Sequence, residues 1–93
     1  MKDPLFTQRG GARRGSANYT WPFERLSVYK DGLIFSETKI PKENIEKLSI
    51  YNGIFTAGLR IDRKSNKELL VFWTFNFRAL RDALVKAGYS VEV

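Results

Sequence analysis

The sequence predicts a mainly β domain: a small barrel or strongly bent antiparallel sheet of six to seven strands, closed by one C-terminal α-helix. Three observations carry this. Short apolar segments with a two-residue period recur from Ala17 to Ile61, divided by turn signals such as Asp31-Gly32 and Asn52-Gly53. A longer apolar run, Leu69-Leu70-Val71-Phe72-Trp73, follows them. A single stripe at helical spacing, Phe77, Leu80, Ala83, Leu84 and Ala87, then runs up to Gly88.

Residues 1–15 read as a flexible basic tail, because Gly10-Gly11 and Gly15 surround Ala12, Arg13 and Arg14 with little apolar anchoring. The folded domain is then expected over residues 16–93. Ala17 to Trp21 is β-prone and ends at Pro22. From Phe23 to Tyr29, Leu26 and Val28 alternate with Ser27 and Tyr29. Asp31-Gly32 predicts a hairpin into Leu33-Ile34-Phe35-Ser36. Ile40-Pro41 ends or bends that strand, since Pro gives a ladder no N–H. Ile45, Leu48 and Ile50 are spaced three and then two, which fits a strand with a β-bulge, although a helix starting at Glu43 competes. Leu59 and Ile61 alternate, and Arg63-Lys64-Ser65-Asn66 is a polar turn. Glu68 to Phe75 is apolar on both faces and predicts a strand covered on both sides, with Trp73 in the core. Asn76 is the expected N-cap of the helix, Thr74 competing, and Gly88 its left-handed C′ residue.

Composition narrows the function. With no Cys and no His, disulfides, thiolate metal sites and His-based acid–base or nucleophilic catalysis are excluded. The serines have no imidazole to activate them, the acids form no DxD or ExxE cluster, and the glycines form no phosphate loop. A non-enzymatic protein without a cofactor is expected. The formal charge is +6 and the aromatic fraction 14%, so an anionic surface is one candidate partner and an aromatic contact another. No N-terminal apolar region or bilayer-length run stands out, so the expectation is a cytoplasmic protein, with peripheral membrane association as a secondary possibility.

Over residues 16–93 the chain resembles the pleckstrin-homology-like superfamily, particularly small bacterial PH-like and GRAM-like domains. The resemblance rests on Thr20-Trp21-Pro22-Phe23 before Leu26-Ser27-Val28, on Asp31-Gly32-Leu33, and on Ile40-Pro41 ahead of Asn44-Ile45. It continues through Gly58-Leu59-Arg60-Ile61, Leu70-Val71-Phe72-Trp73 and the final helix into Gly88-Tyr89. It implies a seven-stranded, helix-closed fold that binds rather than catalyses. The chain departs from it in showing six strands clearly. It also lacks the Lys followed by a basic-x-basic pair of phosphoinositide binders, since no two Lys or Arg residues lie two apart. The resemblance therefore implies protein–protein binding or self-association first and anionic lipid head groups second. Single-stranded nucleic-acid binding through basic loops and exposed aromatics is the alternative.

Four groups of residues are candidates for contact. Lys30, Lys39 and Lys42 surround the Asp31-Gly32 hairpin and could line one rim. Arg60, Arg63 and Lys64, with Lys67, make a second basic hairpin. Trp21, Tyr29, Tyr51 and Phe55 are candidate exposed aromatics. Ile54 and Phe55, after Asn52-Gly53, form a candidate apolar contact loop.

Overall fold

The computed structural model describes residues 3–53 and 56–92. Eight strands form one sheet: β1 (Phe6–Arg14), β2 (Ala17–Tyr29), β3 (Gly32–Phe35), β4 (Thr38–Pro41), β5 (Ile45–Asn52), β6 (Ala57–Arg63), β7 (Leu70–Thr74) and β8 (Val91–Glu92). A 3-10 turn (Lys42–Asn44) joins β4 to β5, and helix α1 (Phe77–Lys86) lies between β7 and β8. The order is β4-β3-β2-β1-β7-β6-β5-β8, antiparallel except for the β5–β8 pair. Seven strands precede the helix.

The sheet is open rather than a closed barrel: β4 and β8 are its edges. It nevertheless curls. Strands β4 and β5 sit first and seventh in the order, yet only three residues connect them, a reach of roughly 10 Å. Ile40 of β4 and Leu48 of β5 consequently share one core cluster with Leu26, Phe35, Leu59 and Phe72. Helix α1 closes this inner face with Leu80 and Leu84, both fully buried, as its stripe predicts. The cap is Asn76, whose side-chain oxygen accepts from the Ala79 N–H. The helix is left at Gly88, whose φ of +94° suits glycine.

The expected tail is corrected. From Phe6 to Arg14 the chain is a central strand paired with β2 and β7. Its glycines are needed for close approach rather than for mobility. A Cβ on Gly10 would lie 2.0 Å from the Trp73 carbonyl oxygen and 2.8 Å from the Phe72 ring. The strand count is also corrected, from six or seven to eight. Residues 17–21 and 23–29 are one strand, across a cis Trp21–Pro22 bond where the ladder skips from Tyr19 to Glu24. Strands β1 and β4 are additional, and the segment after Gly88 pairs with β5 as β8. The bulge expected early in β5 lies between Ile45 and Lys47.

Candidate functional site

Register divides the side chains between the curled sheet's inner and outer faces. In β7, Leu70, Phe72 and Thr74 point inward, so Val71 and Trp73 point outward. Strand β7 is covered on both faces at Val71, which is fully buried although it points outward, but Trp73 is not a core residue: it is half-buried on the outer face. Gly11 of β1 and Gly58 of β6 stand directly opposite it on either side. With no side chain at Gly58, the indole lies over that position: a Cβ there would meet Trp73 Cε3 at 3.0 Å. Beyond Gly58, Tyr51 of β5 packs edge-on against Trp73, ring centroids 5.6 Å apart.

A second aromatic pair adjoins the first. Phe75, two residues beyond Trp73 and in the same alternation, stacks edge-on with Trp21 at 5.7 Å. Trp21 reaches this face because the β2 backbone crosses the outer side of Gly11, where a Cβ would be 2.7 Å from the Tyr19 carbonyl and 3.3 Å from the Trp21 nitrogen. Trp21 is 55% exposed, Phe75 71% and nearby Phe23 80%. Large aromatics left this open need a reason beyond packing.

Arginines flank the aromatics on both sides. One outer row runs Asn18, Arg13, Val71, Arg60, Ser49. On the other side Arg9 and Arg25 face each other directly across β1 and β2. Gln8 bonds Thr74 and Asn76 through its side chain, which sets Arg9 beside Phe75. A like-charged cross-strand pair is unfavourable. Among the described residues neither Arg9, Arg25 nor Arg13 has a carboxylate partner. The carboxylates in outward alternation are already engaged: Asp62 by Arg60 at 3.0 Å and Glu92 by Lys47 at 3.7 Å.

The basic residues expected to converge do not. Lys39 points outward from edge strand β4 and lines a small hollow of about 130 Å³ with Tyr29 and Pro41. Lys42 turns away to the end of α1, where its Nζ lies 4.8 Å from the Tyr89 ring and donates to the Gly88 carbonyl at 3.4 Å. Lys30 occupies the hairpin turn, exposed. Arg60 lies on the outer face, Arg63 is half-buried opposite Ile45, and Lys64 is tied by its backbone N–H to the Asn44 carbonyl. Of the aromatic candidates, Trp21 is exposed and Tyr29 and Tyr51 are half-buried. Ile54 and Phe55 lie outside the described residues. Sequence reasoning missed Phe23, Phe75 and Arg25, and it placed Arg9 and Arg13 in a flexible basic tail rather than on strand β1. The continuous apolar run ahead of the helix hides the outward alternation of Val71, Trp73 and Phe75, and the arginines carry no local signal of their placement.

Two other features are structural. Arg14 points inward, pairs with Glu24 and covers the Phe35 ring at 4.6 Å, sealing one end of the core. Tyr89 donates its hydroxyl to the Tyr29 carbonyl at 2.7 Å. Its pKa is pushed up to about 12, chiefly by burial, with the Asp31 carboxylate adding and a backbone hydrogen bond opposing. No helix among the described residues is long and apolar enough to cross a membrane. Comparison of the chain with family models, with curated proteins and with solved structures finds no match.

Proposed function

We propose that this protein is a non-enzymatic interaction module of pleckstrin-homology-like type that engages its partner through the outer face of its sheet. The PH-like reading is supported by the seven strands that precede the single closing helix, one more than the sequence shows clearly. The observation that carries the binding reading is the exposed Trp21–Phe75 pair flanked by Arg9 and Arg25, which have no carboxylate partner among the described residues. The inner face is consumed by the core and α1, which leaves the outer face for function. Arginine beside exposed aromatics favours an anionic partner. Self-association through Trp21, Phe23 and Phe75 is the second reading, favoured by their exposure.

Retention on immobilised heparin, a soluble polyanion without bases, tests the surface. Arg9→Glu/Arg25→Glu should elute at much lower salt than wild type. Lys30→Glu/Lys39→Glu/Lys42→Glu should elute nearer to wild type, although it changes the net charge more. The reverse ranking moves the contact to the hairpin and overturns the reading. Light scattering across a concentration series separates self-association, which Trp21→Ala/Phe75→Ala would abolish.

A further inference from the structure

We infer that the outer face is a stacking platform for single-stranded nucleic acid, with bases on its aromatic row and phosphates on the arginines at either side. The inference rests on the outer face being the contact surface and adds the chemical class of the partner.

The geometry has a definite order. The central row holds Trp73 and Tyr51 on β7 and β5, with Gly11 and Gly58 on either side of Trp73 carrying no side chain, and Trp21, whose backbone crosses Gly11, joins it through its edge-on contact with Phe75. Phase-matched rows on the same strands lie one two-residue step to either side, at ~6.6 Å. Arg13 and Arg60 occupy one, and Arg9 and Arg25 the other. Aromatic planes between two lines of cations suit a chain that alternates flat bases with a charged backbone. Protein interfaces also concentrate aromatics and arginine, but Arg9, Arg13 and Arg25, with no carboxylate among the described residues, favour a partner that carries a regular line of negative charge. An anionic membrane needs no ordered aromatic row.

The cations are also available. Arg9 and Arg25 oppose each other without a carboxylate among the described residues, a cost that a bound phosphate would relieve. Arg13 spends its Nε on the Gly15 carbonyl at 3.2 Å, leaving its terminal nitrogens, and Arg60 is shared with Asp62. A duplex would present only its backbone, because its bases are already stacked, so a single strand should bind better.

Both tryptophans of the chain, Trp21 and Trp73, lie on this face, so their fluorescence reports directly on its occupancy. Poly(dT) should quench it, and binding should weaken with salt at a log–log slope of about −2 to −3, given ~0.7 per neutralised phosphate on a single strand. Trp21→Ala should weaken binding roughly 5- to 150-fold, the range for one lost base stack, while Trp21→Phe restores most of it. The urea midpoint of each variant checks that the exposed site has been changed without loss of fold. Several results would overturn the inference. If poly(dT) binds no better than heparin, quenches nothing and ignores Trp21→Ala, the stacking platform is refuted while the contact surface stands. Equal affinity for duplex and single strand also refutes stacking. Binding to phosphatidylserine vesicles but not to poly(dT) makes the partner a membrane. Binding to neither polyanion overturns the inference and the contact surface together.

Discussion

Leu80→Ala is the most direct probe of the division between a structural inner face and a free outer one. Leu80 is fully buried where α1 meets the core of Leu59, Phe72 and Leu26. Truncation removes three carbons, worth ~2.4 kcal/mol at ~0.8 kcal/mol per buried methylene. The helix is held in place by Leu84, Ala87 and the Asn76 cap, so it cannot settle to fill the gap. With the cavity included the expected loss is about 3–5 kcal/mol. A chain of this length has ~5–14 kcal/mol in total, so roughly a fifth or more of it goes. The melting temperature should fall by at least ~12 °C. Urea denaturation followed by far-ultraviolet circular dichroism measures the loss. Val85→Ala, more than half exposed on the same helix, is the comparator and should stay within ~0.5 kcal/mol of wild type. If Leu80→Ala costs under ~1 kcal/mol, or no more than Val85→Ala, α1 does not close the inner face and the assignment of function to the outer one loses its basis.

Gly10→Ala should destabilise by ~1–3 kcal/mol or more, because the Trp73 carbonyl and Phe72 ring fill the space; an unchanged urea midpoint would contradict the placement of β1. Glu24→Gln should cost ~1–3 kcal/mol by weakening the hold on half-buried Arg14, read from the same titration. Tyr89→Phe should cost ~0.5–1.5 kcal/mol at pH 8 by deleting the bond to the Tyr29 carbonyl. In wild type the unfolded phenol loses its proton near pH 10.0 and the folded one at about 12, so this contribution is complete below pH 10 and lost as pH rises towards 12. Stability should therefore fall more steeply over that range in wild type than in Tyr89→Phe, and parallel profiles would contradict the buried phenol.

What was legible in the sequence was local. Helix α1, its Asn76 cap and Gly88 exit, the Asp31-Gly32 hairpin and the β5 bulge are each specified by residues within a turn or two of one another. What was not legible depends on partners far along the chain. Arg9, Gly10 and Gly11 look like a mobile tail until β7 is laid beside them, and only then do the glycines become points of close approach. The continuous apolar run of β7 hides its own period, so Trp73 reads as core until pairing with Gly11 and Gly58 turns it outward. The candidate surface was hidden for the same reason. Arg9 and Arg25 are sixteen positions apart in the sequence and become neighbours through the β1–β2 register alone. Lys39 and Lys42 are close in sequence, yet a strand end and a 3-10 turn send them to different hollows.

The outer face is tested most directly by following the backbone amide and indole resonances of isotope-labelled protein during titration with heparin. The account predicts that the largest shifts fall on Arg9 to Arg13, Trp21, Gly58 to Arg60 and Val71 to Phe75, with both indole N–H signals moving. Shifts confined to Lys30, Lys39 and Lys42, or spread evenly over the basic residues, would contradict it.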